Sequence, residues 1–316
     1  MTPEESLNLI KANLVEILNP EIFDDVVLKQ NRPLEIYWGT ATTGKPHCGY
    51  FVPMVNIAEL LEAGCRVKIL ISDVRGSLDS SSLSFELIAP RCDYYQFVIK
   101  SLLRAIGVNI DRLEFVIGSS FQWGKEYTID CRKLETTTKL SAARKAGAEV
   151  VKQGDDPTLS GLNYPIMQAL GEEYLQVDAE LGGVDQRKIF TFALENLPKV
   201  GCKNEPSFKI GLLDTPEEVA KKLKKAVCVP REVEGNGIIA FVEHVIFRIL
   251  ALKGAAEFVV EQQHGESLVY QDITKLKQDH EQDILAPQAI KPALIRTVNE
   301  LLKPIREEFE TSEEWQ

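Results

Sequence analysis

The stretch Leu34-Glu35-Ile36-Tyr37-Trp38-Gly39-Thr40-Ala41-Thr42-Thr43-Gly44-Lys45-Pro46-His47-Cys48-Gly49-Tyr50 holds the reading that decides the fold. Leu34 to Trp38 is largely apolar and aromatic and reads as a short strand. Small and hydroxyl residues follow, and a helix is expected from His47 to Glu62, stopped near Gly64. Working outward, Arg66-Val67-Lys68-Ile69-Leu70-Ile71 is the next strand, ended by polar Ser72-Asp73. A helix from about Phe85 to Ile106 stops at Gly107, and Leu113 to Ile117 is a third strand. After further helices, Tyr174 to Asp178 reads as a fourth strand, and a helix from Val184 to Asn196 closes the domain at Leu197-Pro198. Strands alternating with helices of this length imply an α/β fold with a mostly parallel, doubly wound sheet. Ligands of such sheets bind beyond the carboxyl ends of the strands, where the strand order reverses. Tyr37-Trp38-Gly39, Ser72-Asp73 and Asp178 to Gly183 are therefore expected around one crevice.

From about Leu212 the pattern becomes helical. Glu217 to Val227, Gly237 to Leu252 and Pro287 to Phe309 read as helices, the second with Ile238, Phe241, Val242, Val245 and Ile249 on one face. A boundary between Val200 and Leu212 divides the chain into residues 1–205 and 206–316, and the Glu-rich end from Glu307 to Trp315 is expected to fray. With 316 residues, 44% of them hydrophobic, the chain can bury one large core and a smaller one. The best apolar run, Ile238 to Leu252, is broken by Glu243, His244 and Arg248, which excludes a membrane span there. The acidic start, Met1-Thr2-Pro3-Glu4-Glu5, is unlike a signal or transit peptide.

The six cysteines, at 48, 65, 92, 131, 202 and 228, form no Cys-x-x-Cys pair and match no histidine spacing. Reduced thiols in a cytoplasmic protein without a bound metal are the expectation. A net charge of −11 argues against a protein that coats DNA or any nucleic acid nonspecifically, though a local basic patch is compatible with it. Lys221-Lys222-Leu223-Lys224-Lys225 is one candidate patch, and a solvated helix face explains it equally well.

The turn after the first strand has chemical promise. Small residues let a nucleotide approach the backbone, and a helix beginning at Pro46-His47 would favour phosphate, to which His47 could donate a hydrogen bond. Neither a G-x-x-x-x-G-K-S/T loop nor a G-x-G-x-x-G fingerprint is present. His47-Cys48-Gly49-Tyr50 is similar to the His-Ile-Gly-His signature, with an aromatic fourth residue. Gly183-Val184-Asp185-Gln186 is similar to Gly-x-Asp-Gln, and Tyr164 to Leu170 to Tyr-Pro-x-x-Gln-Ala-Leu. Lys45-Pro46-His47, Ala146 to Gln153 and Asp185 to Phe190 have a eukaryotic look. On these residues the chain resembles, over nearly its whole length, the tyrosyl-tRNA synthetases of the eukaryotic and archaeal type, class I aminoacyl-tRNA synthetases.

The resemblance implies a Rossmann-like catalytic domain followed by a helical anticodon-recognition domain. It also implies a dimer-forming helical insertion at about 120–155, Gly124 to Gly147 being its helical stretch, and hence a homodimer. The substrates would be tyrosine, ATP with Mg2+ and tRNA(Tyr). The tyrosine carboxylate would attack the α-phosphate, pyrophosphate would leave, and the adenylate would esterify the tRNA terminus. Positioning and charge stabilisation supply such a rate. By the same resemblance His47, which steadies the phosphates, Gly49, which makes room for adenine, and Thr42 are the catalytic candidates, and Gly39 borders the nucleotide. Gly183 and Asp185 hold the ribose, and Tyr164, Gln168 and Gln186 hold the substrate amino group. Tyr37 faces the phenol hydroxyl. On the residues alone, Tyr37 and Tyr164 read as core aromatics and Gln168 and Gln186 as solvent-facing.

Four departures from the family pattern stand out. Gly171 occupies the place of an aspartate that accepts the substrate hydroxyl; this family is itself the standing example of a hydroxyl-binding site that rejects the analogue lacking the hydroxyl. A wall written Asp-Leu-His-Ala-Tyr reads Asp73-Val74-Arg75-Gly76-Ser77, and a glutamine before the paired glycines is Glu180. A buried charge is costly unless paired, so Arg75 and Glu180 are expected to pair. Finally, Leu197 to Leu212 lacks both a strand and a Lys-Met-Ser-Lys-Ser loop, Lys203 and Lys209 being the remaining cations there. Three readings follow: a tyrosine–tRNA ligase, impaired or not; an enzyme activating a different amino acid; and a noncatalytic relative that binds tRNA, nucleotide or a protein.

Overall fold

The computed structural model describes residues 1–14, 17–47, 49–79, 87–150, 158–197, 216–226, 228–234, 236–254, 257–262 and 267–311. Four strands, β1 (Glu35–Thr40), β2 (Arg66–Ile71), β3 (Leu113–Ile117) and β4 (Ala179–Leu181), form one sheet in the order β3-β2-β1-β4. All of its pairings are parallel. The chain winds outward from β1 to β3 and then returns to the other side of β1, so the order reverses between β1 and β4. β2 reads as an almost unbroken apolar run because both of its faces are covered: Val67, Ile69, Leu70 and Ile71 are all buried.

An ion pair fastens β4 to β1 at their starting ends. Arg32 forks onto both carboxylate oxygens of Asp178 at 2.7 Å, and Asp178 also accepts the Glu35 backbone N–H at 2.9 Å. The resulting register sets Tyr37 opposite Glu180 and Trp38 opposite Leu181. Directly paired residues in neighbouring strands share a face of the sheet, so Tyr37 and Glu180 face the same way.

Two element assignments need correction. The segment from Tyr174, expected as the fourth strand, begins in a helix, Gly171–Leu175, that Gln176 ends in the left-handed region at φ 52°; the strand starts only at Ala179. A short apolar run does not reveal its period, and here packing decides it. Tyr174 lies edge-on to Tyr127, ring centroids 4.8 Å apart, and its hydroxyl donates to Asp130 at 2.7 Å. The helix expected from His47 begins at Phe51 and runs Phe51–Glu62. Proline suits a first helical turn, where Pro53 stands. The Tyr50 N–H instead donates to the His47 carbonyl at 3.0 Å, ahead of the helix. The remaining closing helix is Arg187–Asn196, preceded by a single 3-10 turn, Val184–Gln186.

The described residues fall into two compact units. One comprises Met1–Lys45, Glu59–Phe97 and Ile110–Lys209, and carries the sheet. Its helical core, against which Lys125–Thr137 and Leu159–Ala169 pack, gathers Tyr127, Leu134, Ile166, Leu170, Phe192 and Leu197. The other comprises Pro46–Ala58, Val98–Asn109 and Ile210–Gln316. Here Gly237–Phe241, a π-helical stretch Val242–Phe247 and Arg248–Leu252 run on as one helical rod. A small antiparallel hairpin of β5 (Phe258–Val260) and β6 (Leu268–Tyr270), not anticipated from the sequence, precedes the helices Ile273–Glu281 and Pro287–Thr311. Arg248 donates to Asn56 at 2.6 Å and ties the rod to the segment Pro46–Ala58 within this unit. Cys48, Val151 to Gln153, the stretch from Pro198 to Leu212 with Lys203 and Lys209, and Trp315 lie outside the described residues.

Candidate active site

In the sheet-bearing unit the strand ends gather a buried polar cluster. β1 supplies Tyr37, which is wholly buried, and Gly39; β4 supplies Glu180; the helix Leu159–Ala169 supplies Tyr164 and Gln168. The turn after β2 opens the helix Asp73–Asp79 with Arg75 and Gly76. Backbone bonds hold that turn, Ser72 N–H to the Thr40 carbonyl at 2.8 Å and Gly76 N–H to the Ser72 carbonyl at 2.9 Å. A Cβ on Gly76 would lie 3.2 Å from both the backbone N and the Oγ1 of Thr42, so glycine lets these two segments close up. Thr42 is buried, and its carbonyl accepts from Arg91 at 3.0 Å.

The amide of Gln168 is the hub. Its Nε2 donates to Glu180 Oε1 at 3.2 Å and to Gln186 Oε1 at 3.0 Å, and Gln186 donates onward to Asp185 at 3.1 Å. The solvent-facing reading of Gln168 is thereby corrected: it is buried, because Leu159–Ala169 turns this face toward β4. Gln186 and Asp185 are half-buried, and Gly183, at the end of β4, is buried. Three polar atoms around the cluster, Thr42 Oγ1, Arg75 Nε and Gln168 Oε1, are buried with no partner among the described residues. Water and ligand are the usual partners of such groups.

Arg75 is 4% exposed and Glu180 is 6% exposed. The expected ion pair between them does not form. The guanidinium instead donates to Ser72 Oγ and lies over the Tyr164 ring, 5.4 Å from its centroid. That cation–π contact offers some of the stabilisation an anion would give. Burial pushes the Glu180 carboxyl up to about 8, against the pull of the Tyr37 hydroxyl, the Arg75 charge and the Gln168 amide. Glu180 is therefore mainly protonated near neutral pH, able both to donate and to accept.

Gly171 is the first residue of its helix, and a Cβ there would meet the Tyr37 hydroxyl at 2.8 Å and its Cζ at 3.3 Å. Gly171, Tyr37 and Glu180 thus converge. The sequence flagged Arg75, Gly171 and Glu180 as departures without showing that they share a wall with Tyr37. Asp178, expected with Gly183 around the crevice, lies instead at the starting end of β4, where its clasp with Arg32 sets the β1–β4 register.

His47 and Gly49 belong to the other unit. His47 is exposed and Gly49 buried, and the Gly49 carbonyl accepts from Val52 N–H at 3.1 Å. Among the described residues no group of three histidine, cysteine, aspartate or glutamate side chains is placed to hold a metal ion. Burial pushes the thiols of Cys65, Cys92 and Cys131 up to about 12, which keeps them protonated. No helix among the described residues is long and apolar enough to cross a membrane.

Comparison with known proteins gives a consistent result. The sequence pattern of the tRNA synthetases class I (W and Y) matches residues 29–208. The cytoplasmic tyrosine–tRNA ligase of Saccharomyces cerevisiae is 43% identical over 340 residues, covering 99% of this chain and 86% of its own length. That of Xenopus tropicalis is 44% identical over 335 residues, and this chain spans 62% of its length. The structure of a tyrosyl-tRNA synthetase from Archaeoglobus fulgidus complexed with L-tyrosine superposes with a TM-score of 0.85 at 30% identity, covering 96% of this chain and 99% of that one.

Proposed function

Because this chain belongs to the class I tRNA synthetases of the tryptophan and tyrosine branch, we propose that its site activates tyrosine with ATP and transfers it to tRNA(Tyr). It is a tyrosine–tRNA ligase. The observation that carries this reading is the buried cluster of Tyr37, Gln168, Glu180 and Gln186 at the β1–β4 reversal, where doubly wound sheets bind ligands. Gln168, Gln186 and Tyr164 receive the amino group of the amino acid, and Tyr37 receives the far end of its ring. Gly39, Gly183 and Asp185 border the nucleotide and Thr42 is the catalytic candidate beside them; for His47 and Gly49, roles at the phosphates and adenine rest on their likeness to the family signature. ATP enters as its Mg2+ complex.

The chemistry asks little covalent work of the protein. A carboxylate attacks phosphorus and pyrophosphate departs, so rate comes from alignment and from donors aimed at developing charge. The residues 1–205 serve as the catalytic domain, 206–316 as the tRNA-reading domain, and the helices within 120–155 as a homodimer contact. The cytoplasm is the proposed compartment.

Amino-acid-dependent ATP–pyrophosphate exchange on the purified protein, with tyrosine, phenylalanine and larger tyrosine analogues, tests the reading. Exchange with tyrosine supports it. Exchange only with a larger analogue would favour a different amino acid. Silence with every amino acid would leave a noncatalytic binding protein.

A further inference from the structure

We propose that Glu180 is the residue that reads the phenol hydroxyl of the substrate, receiving it jointly with Tyr37, whose own hydroxyl lies against Gly171. The inference rests on the tyrosine reading above and adds a specificity-determining residue to it. Three observations converge. The parallel register pairs Tyr37 with Glu180 on one face of the sheet. Gly171 brings no side chain, and the place where its Cβ would stand is 2.8 Å from the Tyr37 hydroxyl. Gln168 fixes the Glu180 carboxyl through Nε2 at 3.2 Å, so the acid cannot swing away to solvent.

A purely structural role accounts poorly for this carboxyl. It is buried, forms no ion pair among the described residues, and is held by one amide and the neighbouring Tyr37 hydroxyl. Burying a carboxyl costs stability unless its hydrogen bonds are completed, and an apolar residue of similar size would pack there at lower cost. A bound hydroxyl gives the carboxyl a further partner. The protonated acid can donate to the phenol oxygen, and the phenol O–H has acceptors in Glu180 and Tyr37. Phenylalanine would leave the same groups unpaired, which is the physical origin of discrimination by a hydroxyl-binding site. The groups facing Glu180 from the surrounding elements are Tyr37 from β1, Arg75 from Asp73–Asp79 and Gln168 from Leu159–Ala169. None of them is a carboxylate.

The test compares the wild type with E180L and E180Q by ATP–pyrophosphate exchange, using the ratio of kcat/KM for tyrosine over phenylalanine. E180L is expected to lower that ratio roughly 10–100-fold, mostly through the KM for tyrosine. E180Q, which keeps a donor and an acceptor, should stay near the wild-type ratio. Thermal melts of both variants establish that they fold. A second readout stands even if E180L does not fold: as pH passes about 8 the carboxyl loses its proton and becomes a charged acceptor for the phenol O–H, so the wild-type preference for tyrosine should strengthen there, and E180Q should lack that dependence. An E180L enzyme with the wild-type ratio, or identical pH profiles for wild type and E180Q, would overturn the inference and leave the ligase reading standing. A wild type that exchanges with phenylalanine and tyrosine alike would also overturn it. No tyrosine exchange by the wild type would overturn the ligase reading, and this inference with it.

Discussion

Removing the titratable proton at Glu180 should change how the stability of this protein depends on pH. In the folded chain the carboxyl is raised to about 8 from its ordinary value of 4.5, chiefly by burial. Between those values the folded state keeps a proton that the unfolded state has released. Unfolding free energy therefore falls as pH rises through this window, is unaffected by the group below it, and levels off above about 8. At about 1.4 kcal/mol per pH unit, the full window corresponds to roughly 4–5 kcal/mol lost from folding. That is a large share of the stability of an ordinary domain. E180Q has the same shape and hydrogen-bonding capacity without the titration, so it should show none of this loss. Urea unfolding of both proteins from about pH 5 to about pH 9 makes the comparison, since the midpoint tracks stability when the slope is unchanged. The wild-type midpoint should fall relative to that of E180Q as pH rises, and the two should run parallel above about 8. Parallel profiles across the whole range would refute the claim that burial holds this proton.

Three further outcomes are expected. Gly171→Ala sets a methyl 2.8 Å from the hydroxyl of a wholly buried tyrosine; overpacking of about 1–3 kcal/mol should appear as a roughly tenfold rise in the KM for tyrosine in pyrophosphate exchange, and an unchanged KM would count against the convergence of Gly171 and Tyr37. Asp178→Ala removes both the Arg32 fork and the acceptor of the Glu35 N–H and should cost about 1–3 kcal/mol, whereas Arg32→Ala, at a half-exposed arginine, should cost no more than about 1 kcal/mol; equal losses in thermal or urea unfolding would contradict this ordering. His47→Ala, at an exposed side chain, should leave the melting curve unchanged and lower pyrophosphate exchange about 10²–10³-fold; wild-type exchange would remove His47 from the phosphate site.

The sequence by itself determined the architecture. β2 and β3 stand where the sequence places them, Arg66–Ile71 and Leu113–Ile117; β2 does so because a strand covered on both faces is largely apolar and local composition reveals it, while β3, at the sheet edge, keeps the exposed Glu114 within its apolar run. The helices Lys125–Thr137 and Leu140–Gly147 fall in the stretch, Gly124 to Gly147, that only the family resemblance gave as helical. The signature residues identified the family, and Tyr37, Gln168 and Gln186 do share one cluster. Tertiary structure decided the rest. Whether Tyr174 continues a helix or begins a strand depends on Tyr127 and Asp130, more than forty residues earlier in the chain. The state of Glu180 was likewise out of reach: the chain shows a glutamate and an arginine that could pair, while packing turns Arg75 onto Ser72 and Tyr164 and leaves Glu180 to Gln168 and Tyr37. Propensity and period are properties of neighbours along the chain. A buried charge takes its partner, and its proton, from neighbours in space.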